Sequence, residues 1–481
     1  MKANLLKNNM LNKIFYIALT IILFVYYFIA DKEMDKEVIA IILTSVGLST
    51  VLFFTKKERY KELKGQYFKH STLAILGLLI VCFQIYIDYI LGNVSADNYF
   101  IFVNKAIVVK ALVVSAIGYN MFLIGYASYK VKFIRNIHKE KVYKTKALEI
   151  LVFIFLILFL STINMSYVLG GYGSESIGTG VSYFNLLLKI FIIALIIQKT
   201  RNLVIQNKTN ISLKNYLLSL GFLPLFSISI YLLIILLSGD RGPLITISLY
   251  ILSGFLFVTK IKYKFYILLA TIVIASIVMT ILGIARSFGS DVSFKEKIEL
   301  ALKDDEKKKI DSFLPQTSEL SVSVNSIHQV VDYFPDKHDF LYGRFQFQQL
   351  TASLPFFNMF NAVIFENNSQ KYAGSASFVT WIYQGDRPTS GNGTSVVADF
   401  YFDFGLFGVA LGMFLYGYSI RYAEVKMYVY KLPSLFASAF FTVYLGSALY
   451  IARSSFLFEF RTVVWVVVVL LINRYVFNKS K

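Results

Sequence analysis

Residues 266–284 read YILLATIVIASIVMTILGI, an apolar run without a charged side chain. Wound as a helix, a run of this length crosses a hydrocarbon core of about 30 Å. The stretches IFYIALTIILFVYYFIA (14–30) and LVFIFLILFLSTI (151–163) have the same character. The composition agrees, with 56% of the 481 residues hydrophobic and 17% aromatic, and a mean hydropathy of +0.61. A soluble chain of that size cannot hide so much apolar surface. The expected fold class is an all-α polytopic membrane protein. The first apolar run is long and no small-residue cleavage site follows it, so it reads as a span rather than a cleavable signal peptide.

Hydropathy windows predict about twelve transmembrane helices, near 14–30, 37–55, 71–91, 106–127, 147–165, 181–198, 216–237, 243–259, 265–284, 396–420, 432–451 and 462–477. Residues 1–285 then hold helices 1–9, residues 286–395 form one large loop, and residues 396–481 hold helices 10–12. The other loops alternate in charge. TKKERYKELKGQYFKH (55–70), YKVKFIRNIHKEKVYKTK (129–146), QKTRNLVIQNKTNISLK (198–214), TKIKYK (259–264) and RYAEVKMYVYK (421–431) are basic, whereas GNVSADNYF (92–100) and GGYGSESIGTG (170–180) carry no Lys or Arg. Basic loops stay in the cytoplasm during insertion, so both termini are expected there and the 286–395 loop outside. This placement accounts for most of the net charge of +19 without any nucleic acid partner. Membrane lipids are the expected partners of the basic loops. The single cysteine, Cys82, falls in a predicted span and excludes a disulfide framework.

Against this background the arginines expected on the outer side stand out. Arg241 lies in SGDRGP (238–243), Arg286 ends the ninth span, Arg344 and Arg387 lie in the long loop, and Arg453 and Arg461 lie between the last two spans. The planar guanidinium stays charged and binds phosphate bidentately, so several on one membrane face point to an anionic ligand. Pairing with headgroups or with acids such as Asp240, Asp403 and Glu459 is the alternative. In SGDRGP, Pro243 suits the first turn of a helix whose exposed N-terminus favours an anion. Gly239 and Gly242 let a phosphate approach the backbone, and Asp240 can cap that helix, orient Arg241 or act as a base. RPTSGNGTSVVADFYFDFG (387–405) repeats the pattern, with Thr394 or Ser395 as cap. Its Asp399 and Asp403 are intramembrane carboxylates expected to pair with an arginine or accept a proton.

Other chemistry is not signalled. Walker, dinucleotide and HExxH motifs are missing, and the DDE at 304–306 sits in the charged run FKEKIELALKDDEKKKIDSFL (294–314), which reads as an amphipathic surface helix. No metal site and no cofactor are expected. His338 in the long loop could serve as a general base or simply as a surface residue. Lys110 and Lys189 fall within spans and either snorkel or face a cavity.

Three stretches resemble the Wzy-type polymerases of O-antigen and capsular repeat units. They are SGDRGPLITISLYIL (238–252), VVDYFPDKHDFLYGRFQFQQLTASLPFF (330–357) and GNGTSVVADFYFDFGLFGVALG (391–412). The resemblance implies a membrane glycosyltransferase of the C class that needs no nucleotide sugar. Its substrates would be oligosaccharides on undecaprenyl pyrophosphate at the outer face of the bacterial cytoplasmic (inner) membrane. The growing glycan would pass to the next lipid-linked unit. A chain-length regulator and a flippase are further partners that the resemblance admits. Arg241 and Arg286, with Asp240 and Asp399, would form the reacting centre. Arg344, Arg387, Arg453, Arg461, His338, Gly239 and Gly242 would hold substrate. An O-antigen ligase, a lipid-linked oligosaccharide flippase and a structural or sensory protein with internally paired arginines are rival readings.

Overall fold

The computed structural model describes residues 2–30, 33–98, 101–131, 140–164, 179–238, 240–286, 296, 312–354, 361, 363–365 and 370–478. The regular elements are helical, with no strand among the described residues. In chain order they are α1 (Lys2–Ile29), α2 (Lys36–Thr55), α3 (His70–Leu91), α4 (Lys105–Ser128), α5 (Lys146–Thr162), α6 (Thr179–Ile205), α7 (Leu213–Leu220), α8 (Phe222–Ser238), α9 (Arg241–Thr259) and α10 (Phe265–Arg286). Short helices α11 (Ser318–Ser321), α12 (Asn325–Tyr333), α13 (Arg344–Thr351) and α14 (Ser375–Gln384) follow, then α15 (Val396–Val429), α16 (Leu435–Gly446) and α17 (Phe460–Ile472).

Each of the twelve hydropathy windows carries helix. The twelve-span count does not follow from this. Among the described residues eight helices are long and apolar enough to cross a membrane unaided, or nine if a bent pair counts as one span. That pair is α7 and α8, which fill the 216–237 window but bend by 101° at Gly221. Gly221 sits at φ +101°, where a side chain would be strained, and Pro224 follows in the first turn of α8, where its missing N–H costs nothing. The 432–451 window holds only the 12-residue α16, because the chain turns at Ser447 into a 3-10 turn over Ile451–Arg453.

The core of the bundle is the crossing of α4 and α15. Lipid tails are as apolar as leucine, so helices in a membrane associate through close backbone packing. Here glycines allow it. A Cβ on Gly125 would lie 2.0 Å from the carbonyl oxygen of Phe414, and one on Gly417 would lie 2.0 Å from that of Phe122. Above the crossing, α15 is broken at Phe404 (φ −146°, ψ 22°) and Gly405 (φ 59°, ψ −142°). Gly405 needs both its positive φ and its missing Cβ, which would meet the Phe340 ring at 2.7 Å.

The segment between α10 and α15 closes one end of this bundle. α12 packs on α4 and α15, and α13 packs on α15 and α17. Gln84 and Asp88 near the end of α3 hold Ser312, Phe313 and Thr317. His328 is buried between the Tyr86 hydroxyl at 2.7 Å and the Ile101 carbonyl at 3.1 Å. Phe334 is fully buried and touches Phe340, Phe378 and Phe402, so it packs the segment down, whereas Tyr342 is 73% exposed. Of the charged stretch 294–314, only Glu296 and residues 312–314 lie within the described residues.

Gly417→Ala tests the crossing. Forcing a methyl into that contact should cost about 1–3 kcal/mol or more, seen as earlier melting of the purified protein in detergent. Gly47→Ala, with no atom within 4 Å of the added methyl, should melt like the wild type. Equal melting of both variants would contradict the close approach.

Candidate functional site

α9 begins as SGDRGP predicts. Asp240 adopts an extended backbone and its side chain accepts the Gly242 N–H at 3.2 Å, so it is the N-cap and Pro243 lies in the first turn. Gly242 faces Tyr450, whose hydroxyl would lie 3.6 Å from a Cβ there. Gly239 lies outside the described residues.

Arg241 does not stand alone at the tip. Its Nη2 donates to both carboxylate oxygens of Glu319 at 2.8 Å, and Nη1 of Arg453 is 3.9 Å from the same carboxylate. Two of the arginines expected to gather therefore converge on one acid carried by α11. Glu319 is half-exposed, while the side chains of Arg241 and Arg453 are largely covered. Beside this triad lies a second group of charges. Lys189 of α6 is within electrostatic reach of Asp240 and Glu459, and Arg461 is within reach of Glu459. Glu459 accepts from Ser447 at 2.8 Å. The Nε of Arg461 is buried and has no hydrogen-bond partner among the described residues, and its guanidinium lies 5.1 Å from the Phe458 ring.

Asp399 and Asp403 are fully buried in the first turns of α15, with partners other than arginine. Asp399 accepts from Gln346 and Gln349 at 3.0 Å each and from Ser455 at 2.9 Å. Asp403 accepts the backbone N–H groups of Phe345 and Gln346 at 3.4 and 3.1 Å, so it caps α13 from outside. The break at Phe404–Gly405 frees the carbonyls of Phe402 and Asp403, which accept from Leu341 and Tyr342 at 3.0 Å. Amides and N–H groups satisfy these carboxylates without bringing a second charge into the bundle. One consequence is an excess of acceptors. The Oε1 atoms of Gln346, Gln348 and Gln349 are all buried without a partner among the described residues.

Arg344 starts α13 and stacks on Tyr372, its guanidinium 4.0 Å from the ring. His338 meets the same Tyr372 hydroxyl at 3.3 Å and stacks on Tyr333. Arg344 and His338 are thus linked through one tyrosine, in an aromatic nest that also holds Phe378. Arg387 lies apart on an exposed turn that Gln384 latches through Thr389, Ser390 and Asn392. It has no ion pair among the described residues. Arg286 ends α10, and its side chain lies outside the described residues. Lys110 sits 4.9 Å from the Tyr27 ring, which accounts for one cation within a span.

Glu319, Gln346, Gln349 and Ser455 carry no signal in the sequence that marks them. Gln346 and Gln349 are spaced to share one helix face, but their target lies about fifty residues away. Among the described residues no group of three or more His, Cys, Asp or Glu is placed to hold a metal ion. The family model described as O-antigen polysaccharide polymerase Wzy matches residues 12–481, nearly the whole chain. No curated protein and no solved structure gave a match.

Two measurements probe how the closing segment is held. Burial pushes the His328 imidazole down to about 4 from an ordinary value near 6.5. The undocked form binds the proton first, so the stability of docking is complete above pH 6.5 and is lost as pH falls toward 4. Amide exchange in 325–333, corrected for its intrinsic pH dependence, should therefore rise between pH 7 and pH 5, and a flat profile would contradict the burial of His328. Asp403→Ala should raise exchange at 345–346 at neutral pH, reflecting a lost cap of about 1 kcal/mol.

Proposed function

The chain belongs to the O-antigen polysaccharide polymerase Wzy family and polymerises lipid-linked oligosaccharide repeat units in a bacterial membrane, and from that premise we propose that Arg241 and Arg453 hold the donor's diphosphate. The supporting observation is their convergence on Glu319 beside the N-terminus of α9. A carboxylate between two guanidinium groups occupies the place a phosphate would take, and the helix end adds its own preference for an anion. Lys189 and Arg461, beside Asp240 and Glu459, are assigned to the second lipid-linked diphosphate, which would take the place of those acids as their counter-anion. Arg286 and Arg387 are assigned to the approach of the substrates, and Arg344 with His338 to the glycan.

The donor is a glycan on undecaprenyl pyrophosphate. An acceptor hydroxyl oxygen bonds to the anomeric carbon, whose bond to the diphosphate oxygen breaks, and the electron pair departs with undecaprenyl pyrophosphate. Charge grows on the leaving diphosphate, and fixed guanidinium groups there lower the barrier without any need for a metal. Once the diphosphate displaces it from the arginines, Glu319 is the carboxylate at hand to take the hydroxyl proton. The loop-charge alternation supports a topology with both termini in the cytoplasm and the Arg241 end, with the 286–395 segment, outside the inner membrane.

A deletion strain carrying plasmid-borne variants tests this on a polysaccharide gel. Arg241→Lys or Arg453→Lys, present at wild-type level in the membrane, should lower polymer about 10²–10³-fold and leave single repeat units on the acceptor. Glu319→Gln should also lose polymer while retaining the lipid diphosphate more tightly. A wild-type ladder from Arg241→Lys would remove the diphosphate assignment.

A further inference from the structure

The opposite end of the bundle holds a second cationic feature that the polymerase reading does not use. The chain between α2 and α3 folds back on itself and lines a cavity of about 640 Å³. That is within the range of small-molecule sites, roughly 300–1,000 Å³. The loop is fastened on several sides. Lys262 donates to the carbonyls of Lys61 and Lys64 at 3.2 and 2.8 Å, and Gln66 donates to that of Ile261 at 3.0 Å. Arg421 of α15 grips Glu58 at 2.5 and 3.1 Å.

The lining carries four lysines, Lys56, Lys57, Lys64 and Lys69, against one acid, Glu58. Arg421 already occupies that acid. The Lys56 ammonium lies 3.6 Å from the Phe53 ring centre and 4.0 Å from that of Tyr126, and Lys69 lies about 6 Å from both. Lys69 is only 7% exposed, and neither it nor Lys56 has an ion pair among the described residues. Burial first, then the like charges of Lys69 and Arg421, draws Lys56 well below the usual lysine range, against the opposing pull of Glu58 and of the buried Glu424. Lys56, Lys69 and Arg421 still outnumber Glu58 and Glu424, and a buried excess of positive charge calls for a further anion.

The walls show what carries the anion. Phe53, Phe54 and Tyr67 line the cavity beside the lysines, and Ile41, Leu48 and Val51 on the adjoining helix are more than half exposed, as a lipid-facing surface is. α2 ends at Thr55 and α3 begins at His70, so the cavity sits at the ends of two spans, where headgroups lie. A free phosphate would make no use of an aromatic wall at that depth.

We infer that this cavity binds the phosphate headgroup of an anionic glycerophospholipid, with Lys56 and Lys69 as counter-cations and Phe53, Phe54 and Tyr67 against the first carbons of its chains. The inference is independent of the polymerase chemistry. Binding of short-chain phosphatidylglycerol to the full-length protein in neutral detergent, read by native mass spectrometry, tests it. Phosphatidylglycerol should be retained and phosphatidylcholine should not. Lys56→Gln and Lys69→Gln should each weaken retention about fivefold, and together about thirtyfold. Lys105→Gln at the other end of the bundle should leave it unchanged. If the double variant does not elute as folded protein, Lys57→Gln with Lys64→Gln on the exposed rim gives the same reading. Equal retention by wild type and variants would overturn the site. Displacement of the lipid by an equal concentration of inorganic phosphate would overturn the lipid assignment in favour of a free anion.

Discussion

Everything else in the molecule is referred to the backbone contact between α4 and α15. In a bilayer no hydrophobic force pulls two helices together, and the alternatives are close packing and polar contacts. Gly125 and Gly417 each receive a carbonyl of the other helix at a distance that excludes even a methyl group. With that contact made, the start of α15 is fixed relative to the start of α4. Asn104, at the head of α4, then meets Asp332 of the closing segment at 2.6 Å. The break at Phe404–Gly405 turns the first two turns of α15 toward the same segment, and its freed carbonyls bind that segment's backbone.

Two solutions to the problem of polar groups in an apolar bundle stand side by side at the Arg241 end. Asp399 and Asp403 are satisfied by amides, hydroxyls and backbone N–H groups, an arrangement that ties α13 to α15 without a counter-cation. Arg241 and Arg453 share a single half-exposed glutamate. Within that group the acid is the more accessible member. The first arrangement is enclosed, with both carboxylates fully buried. The second is the one from which an anion can displace a partner. The cations that converge on Glu319 are arginines, whose fork matches phosphate. At the other end the cavity lysines are point charges resting on aromatic faces.

The hydropathy pattern of the chain was enough to establish a helical membrane protein, and the positions of all twelve helical windows follow from it, because burial in lipid depends on local composition. It was not enough to settle which windows cross. The 101° bend at Gly221 and the early end of α16 come from backbone conformation and from how the neighbouring elements pack. The Asp240 cap was legible because an N-cap is satisfied within a few residues. So was the presence of arginines at one end, since loop charge is local.

The partners of those arginines were not legible. Glu319 lies 78 residues from Arg241, and Gln349 lies 50 from Asp399, separations across which a sequence carries no trace of contact. The expected arginine pairing of Asp399 and Asp403 therefore gave way to glutamines and an external helix cap, and Arg387 stayed apart from the cluster it was grouped with. Residue type, periodicity and charge placement by themselves determined the helices and their greasy faces, while the family of the chain came from the resemblance of three stretches and from the family model. Tertiary structure alone decided which polar groups meet, because each must find its partner wherever the packed backbone brings one within hydrogen-bond reach.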